Sequence, residues 1–239
     1  MAPDFREVDM SEPVKEFFIR RGYDVQAEVL GIDLVAMKGK ERILLELKTS
    51  FNLKLIYQGL DRQKTGDPVY LVIPRPKRGS LEKPILIAKR LELGLITVGM
   101  DSPMRPVEIV SPAADGHRIG KKRVEKLDAE LDGRSMDLNR AGSTGTKLMT
   151  AFRERAIQVA CALYQNGPRS AAALKKDFAC SEDTYGILYR NHYKWFEKLE
   201  KGVYRISEEG RRFLEERTHF PEAIDFYLAY TSYRSEAKK

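Results

Sequence analysis

The stretch from Gly31 to Lys48, GIDLVAMKGKERILLELK, leaves a folding chain few choices. Two apolar runs flank a turn at Lys38–Glu41 centred on Gly39, so they read as consecutive strands of a hairpin. A strand as apolar as Ile43-Leu44-Leu45 belongs in a sheet covered on both faces. Side chains alternate along a strand, which puts Glu46 and Lys48 on one face and Leu45 and Leu47 on the other. A carboxylate and an ammonium are costly to bury unpaired in such a place. With Asp33 near the start of the neighbouring strand, these charges are the main functional clue in the chain.

The 239 residues suffice for one large domain or two modest ones with real cores. Hydrophobic content of 42% and charged content of 32% describe a folded, soluble chain. The excess of 42 basic over 35 acidic residues, a net charge of +7, tilts toward a polyanionic partner without requiring one. No apolar run reaches membrane-spanning length and no charged-then-apolar leader precedes the first helix. The expectation is therefore a cytoplasmic protein with no membrane partner. Cys161 and Cys180 form no ligand pair with the three dispersed histidines, which disfavours zinc and favours reduced thiols.

In chain order, Pro13–Arg21 reads as a short amphipathic helix, with proline early and Gly22 after its end. Tyr23–Leu30 alternates as a first strand, followed by the hairpin. Asn52–Lys64 is helical, with Leu53, Ile56 and Leu60 on an apolar stripe and Gln58, Asp61 and Arg62 on another face. Val69–Ile73 is a central strand, and Arg75, Lys77 and Arg78 form a basic loop. Lys83–Leu93 is a helix, Leu95–Met100 a strand, and Val107–Val110 a further candidate strand. The order predicts an α/β sandwich with a mixed sheet, a hairpin-built meander and then a helical crossover.

Residues 1–111 thus read as a first domain and residues 112–146 as a linker partly laid against it. The linker has a helical stretch at Val124–Leu131 and a mobile stretch at Ala141–Gly145. Residues 147–239 read as a smaller second domain. Met149–Gln165 and Ser170–Phe178 are helices, and Ser181, with Glu182 and Asp183, is expected to cap a third from Thr184. Asn191-His192-Tyr193 interrupts that helix before Trp195, Phe196 and Leu199 resume its apolar pattern. A turn and strand at Lys201–Ile206, then a helix from Ser207, complete the pattern of a winged helix-turn-helix. Pro221–Tyr233 closes the chain as an aromatic helix.

The order helix–strand–strand–strand–helix–strand, with Ile32-Asp33 followed after twelve residues by Glu46-Leu47-Lys48, resembles the PD-(D/E)XK phosphodiesterase superfamily. That is the restriction-endonuclease-like fold, an αβββαβ core. The resemblance covers about Pro13 to Met100, and Ile32 stands where the signature has proline. Read with the winged-helix end, the chain is similar to a bacterial family of unknown function assigned to that superfamily. The resemblance implies a Mg²⁺-dependent nuclease, with Mn²⁺ as an alternative ion. Asp33 and Glu46 are then ligands, and Lys48 orients the attacking water or offsets phosphoryl charge. In the absence of metal, Lys48 is expected to have the two acids as its partners. Glu28, on the first strand, is a candidate third ligand or simply the polar phase of that strand. Gln58 falls where several branches place a supporting Gln in a Gln-x-x-x-Tyr motif. Arg62 replaces that tyrosine and is suited to facing a phosphate.

The second domain supplies candidate contacts to double-stranded DNA: Thr184, Tyr185, Tyr189, Arg190, Asn191 and Lys194 on and after its third helix, with Arg205 on the wing. Its tyrosines and Trp195 equally suit a core, and its many acids suit a protein-binding or homodimerising module. Two functions stay open: a DNA nuclease, and a DNA-binding protein or regulator with a vestigial nuclease fold.

Overall fold

The hairpin that dominates the sequence is the centre of the first unit of the computed structural model. Residues 5–76, 80–114, 120–139, 141 and 147–236 are described. Lys77 and Arg78 of the basic loop, and residues 142–145 of the linker, lie outside them. Strand β2 (Ile32–Lys38) pairs antiparallel with β3 (Glu41–Leu47), closing at Lys38 opposite Glu41 around a two-residue turn. Gly39 takes φ +61° there, a left-handed conformation open to glycine at little cost.

Six strands form one sheet in chain order, β1 (Asp24–Val29), β2, β3, β4 (Val69–Pro74), β5 (Gly94–Val98) and β6 (Val107–Ser111). The pairs β1–β2, β2–β3 and β5–β6 are antiparallel, whereas β3–β4 and β4–β5 are parallel. The two parallel steps are the helical crossovers, through α2 (Leu53–Arg62) and α3 (Glu82–Arg90). The expected mixed sheet of a nuclease-like α/β core is what forms.

Both faces of the sheet are covered. Helix α1 (Val8–Ile19) buries Met10, Val14 and Phe18 on one face against Leu34, Leu45, Leu47 and Ile96. On the other, Leu55 of α2, Ala88 of α3, and Leu127 and Leu131 of α4 (Lys121–Asp132) pack on Val35, Leu44, Val69 and Leu71. Gly59 lets α2 approach the sheet closely, since a Cβ there would sit 2.8 Å from Leu71 Cδ2 and 3.1 Å from Leu93 Cδ2. The expected helical stretch of the linker, read from Val124, begins a little earlier and is part of this face.

Helix α1 begins five residues before its expected start at Pro13, so the proline lies inside it. Proline has no N–H to give the Asp9 carbonyl one turn back. Arg105 Nη1 takes that place, donating to Asp9 O at 2.6 Å. The outer edge of β1 is covered by the segment that follows α4. Asp137 Oδ1 accepts from the Ala27 amide at 3.0 Å, Asn139 Nδ2 donates to the Ala27 carbonyl at 3.4 Å, and Asp137 pairs with Lys15 at 2.5 Å. An edge strand is thereby denied to other chains.

By its internal packing the chain divides into two units. The first runs to Asp132 and includes Asp137–Leu148; the second comprises Gly133–Met136 and the chain from Met149. The second unit contains α5 (Ala151–Asn166), β7 (Arg169–Ser170), α6 (Ala171–Phe178), α7 (Thr184–Arg190), β8 (Phe196–Glu200), β9 (Val203–Ile206), α8 (Glu208–Glu216) and α9 (Pro221–Glu236). Its small sheet is ordered β7-β9-β8. Glu154 of α5, 1% exposed, anchors Gly133–Met136 by accepting from the Ser135 amide at 3.1 Å and from the Tyr227 hydroxyl at 2.8 Å.

Two expectations for this unit are corrected. Ser181 does not cap α7 with its side chain: the Thr184 amide and hydroxyl both bond the Ser181 carbonyl, and Ser181 Oγ is buried without a partner. The segment after Asn191 is strand β8, not resumed helix. Asn191 adopts φ +42°, and its side chain donates to the Phe196 carbonyl at 2.7 Å and accepts from the Phe196 amide at 3.2 Å, which stops the helix and seats the strand. Cys161 and Cys180 are free and buried, and burial pushes both thiols up to about 12.

Candidate functional site

The two-residue turn of the β2–β3 hairpin decides the site. Its last recorded pair sets Leu34 against Leu45, and one step further along the same register sets Asp33 against Glu46. Val35 and Leu44 face α2, so by alternation both carboxylates face it too. Asp33 is 8% exposed and Glu46 is fully buried. Asp33 Oδ2 accepts from the Leu47 amide at 2.7 Å, tying the start of β2 to the end of β3.

Two buried acids this close strain one another. Burial raises Asp33 above its ordinary range, against the Leu47 hydrogen bond and Lys48, which lower it. Burial, then the charge of Asp33, push Glu46 from its ordinary 4.5 up to about 7, with Arg62 and Lys48 acting in the opposite direction. Burial, more than the charge balance, holds both acids up.

The cations come from outside the hairpin. Arg62, at the end of α2, donates from Nε to Glu46 Oε1 at 2.6 Å and from Nη2 to the Gly31 carbonyl at 2.5 Å. Glu46 Oε2 is buried with no hydrogen-bond partner, and so is Gln58 Oε1, one helical turn before Arg62 on the same face of α2.

Lys48 departs from expectation. Its Nζ pairs with Glu7 Oε2 at 2.6 Å and donates to the Leu47 carbonyl at 2.8 Å, so neither Asp33 nor Glu46 is its bonded partner. The reason is positional. Lys48 lies one residue past the end of β3, Arg62 already holds Glu46, and the Leu47 amide holds Asp33. Its long stem reaches Glu7 at the head of α1 instead. Its charge still acts on both acids.

Glu28 sits at an irregular point of β1, with φ +52°, between the register pairs Ala27–Leu34 and Val29–Ile32. The structure does not bring it into a three-acid cluster with Asp33 and Glu46: among the described residues no group of three His, Cys, Asp or Glu is placed to hold a metal. A two-carboxylate site still fits a hard cation that retains waters. The orphaned Glu46 Oε2 and Gln58 Oε1 are oxygen donors of that kind. Asp33 and Glu46, with Gln58 in support, are the residues that would hold a divalent cation.

In the second unit the candidate contacts are partly occupied. Arg190 pairs with Asp183 at 2.5 Å and donates to the Gly186 carbonyl, and Arg205 pairs with Glu197 at 2.7 Å. Asn191 is spent on Phe196, Thr184 is buried, and Lys194 is exposed in a left-handed conformation. Tyr185 and Tyr189 are 58% and 73% exposed, with rings stacked 5.9 Å apart. Trp195 is core, stacked on Tyr193 and Phe213.

Residue-by-residue reading missed Glu7, and it missed that Arg62 serves Glu46. Glu7 had a signal, an acid in the segment preceding an amphipathic helix, but the expected start at Pro13 placed it outside that helix.

A family model described as "Putative PD-(D/E)XK phosphodiesterase (DUF2161)" matches residues 96–213. The chain is similar to this family over that span. The matched span opens in β5 and ends in α8, after the hairpin that carries Asp33 and Glu46. Family similarity and site geometry are therefore separate lines of argument. A search of curated proteins found no match to the chain. Among the described residues no helix is long and apolar enough to cross a membrane.

Proposed function

We propose that the chain is a divalent-metal-dependent nuclease acting on DNA, with Asp33 and Glu46 holding Mg²⁺ and Lys48 acting on the phosphate. One observation carries this reading: two buried carboxylates face each other across the β2–β3 ladder, and Glu46 Oε2 is left without a partner. Folding does not retain such a pair for stability, because like charges directly opposite each other destabilise a sheet. A bound Mg²⁺ would supply Lewis acidity at the scissile phosphate. The chain's own residues do the rest. The Leu47 amide fixes the Asp33 carboxylate, Arg62 orients Glu46 through Oε1, and the Lys48 ammonium, whose charge lowers both acids, would act on the phosphate once freed from Glu7.

The second unit supports a DNA substrate. Its order α5–β7–α6–α7–β8–β9–α8, with β9 between β7 and β8, suits a winged helix-turn-helix in which α7 would enter the major groove and β8–β9 would be the wing. The exposed Tyr185, Tyr189 and Lys194 then face the duplex.

A second reading, DNA binding without cleavage, is favoured by the same ion pairs that complete the site. Arg62 occupies one oxygen of Glu46, and Glu7 holds Lys48, which must be released before catalysis. The test is plasmid nicking or cleavage in Mg²⁺ or Mn²⁺ against EDTA. Cleavage that requires metal and disappears in both Asp33→Asn and Lys48→Ala supports the enzyme. Salt-sensitive binding with no cleavage under either metal supports the alternative.

A further inference from the structure

Beside the carboxylates, a cavity of about 220 Å³ opens between the β1–β2 turn, α2 and α4, lined by Leu30, Ile32, Arg62, Thr65, Arg123 and Lys126, with Asp61 on its wall. We propose that this cavity binds a phosphate of the nucleic-acid strand next to the one cleaved, with Lys126 as its free cation. The inference rests on the nucleic-acid reading above and assigns a role to α4, which lies in the stretch the sequence presents as a linker.

The charge balance points to an anion. Three cations and one carboxylate line the cavity, and the carboxylate is already taken. Asp61 Oδ2 accepts from Arg123 at 2.9 Å, its Oδ1 pairs with Lys64 at 2.7 Å, and these contacts pull it down to about 2. Arg62 is shared with Glu46. Lys126 is exposed and has no ion-pair partner among the described residues. The volume is roughly seven times the 30 Å³ share of a liquid water, room for a phosphate and part of its hydration.

The cavity is built rather than incidental. Helix α4 is pinned at three points. The Gly120 amide donates to the Lys64 carbonyl at 2.8 Å, Arg123 Nη1 donates to the Asp61 carbonyl at 2.8 Å, and Asp128 pairs with Arg42. The opposite wall is the β1–β2 turn, where Leu30 and Gly31 take φ +52° and +79° and the Gly31 carbonyl holds Arg62 Nη2. The Arg62 guanidinium touches Glu46 on one side and lines the cavity on the other. A phosphate in the cavity would therefore share the Arg62 guanidinium with Glu46, one of the proposed metal ligands.

The experiment is fluorescence anisotropy of a short labelled DNA duplex and its single strand with the full chain, in EDTA, across a range of KCl. The wild type is compared with Lys126→Ala, and with Lys40→Ala in the hairpin turn at the far end of the strands. The expected result is a several-fold loss of affinity in Lys126→Ala, with a log K against log salt slope shallower by about one. Lys40→Ala should superimpose on the wild type, and inorganic phosphate should compete for the wild type but less for Lys126→Ala. Lys126 is solvent-exposed, so unchanged thermal unfolding checks the fold. A Lys126→Ala protein that binds DNA as the wild type does overturns the proposal, as does a wild type that binds no DNA in EDTA. Lys126-dependent capture of inorganic phosphate with unaltered DNA affinity overturns the strand assignment. Because metal is absent, the enzyme reading is judged separately: cleavage with a silent Lys126→Ala keeps the nuclease and loses the cavity, and the converse keeps the cavity alone.

Discussion

Asp33 stands across the β2–β3 ladder from Glu46, both buried and both facing α2. Asparagine at position 33 keeps an oxygen for the Leu47 amide but removes one of the two opposed charges. Asp33→Asn should therefore be more stable than the wild type in EDTA, by about 1 kcal/mol, while losing metal-dependent cleavage. Thermal unfolding beside a cleavage assay checks both halves. A variant less stable than the wild type would mean that the two charges do not oppose each other.

The same pair sets an unusual pH dependence. Glu46 ionises near 4.5 in the unfolded chain and near 7 in the folded one, so the folded state holds its proton more tightly. The resulting stabilisation is complete below about 4.5 and is lost as pH rises through about 7, and the raised Asp33 adds to it with the same sign. Urea midpoints of the wild type in EDTA should thus fall between pH 5 and pH 8 more steeply than those of Glu46→Gln. Mg²⁺ should reduce the wild-type fall by favouring the ionised carboxylates.

Arg62 and Glu46 form a partly buried ion pair whose separate loss is costly on either side. Arg62→Ala leaves the Glu46 charge with less compensation, and Glu46→Gln leaves the guanidinium with Gly31 and Asp61. A double-mutant cycle in EDTA should give a coupling of about 1–3 kcal/mol, the range for hydrogen bonds to charged groups. Additive single effects would remove Arg62 from the site.

The carboxylates were legible in the sequence for a geometrical reason. Strands repeat every two residues, so the hairpin and its charged positions could be read from the pattern. The turn centred on Gly39, however, falls half a residue short of the observed centre between Gly39 and Lys40, and only the observed register sets Asp33 opposite Glu46. The helix partners were not legible, because they depend on contacts far apart in the chain. The start of α1 was hidden by Pro13, whose cost is met by Arg105, ninety-six positions from the Asp9 carbonyl it serves. Glu7 came into range of Lys48 only with that earlier start. In the second unit, Trp195, Phe196 and Leu199 fit a helical stripe as well as a strand, and the side-chain bonds from Asn191 to Phe196 decide between them.

Lys48 must leave Glu7 if it is to act on a phosphate. Removing the lysine should lower kcat by about 10²–10³-fold, the scale for one charge-stabilising donor. Glu7→Gln keeps a polar partner without the charge and should leave kcat within about tenfold of the wild type. Loss of Glu7 as damaging as loss of Lys48 would make the pair a structural unit rather than a resting state.

Asn191 reads from the sequence as a DNA contact, yet both ends of its amide are committed to the Phe196 backbone and its own backbone is left-handed. Alanine there loses two hydrogen bonds and strains the backbone, at a cost of about 2–3 kcal/mol to the second unit. Glycine relieves the strain but not the lost bonds, so Asn191→Gly should fall between alanine and the wild type. The exposed Lys194 has no such duty, and Lys194→Ala should unfold as the wild type does while weakening DNA binding. If Asn191→Ala instead keeps full stability and loses affinity, the side chain belongs to the interface and not to the turn that seats β8.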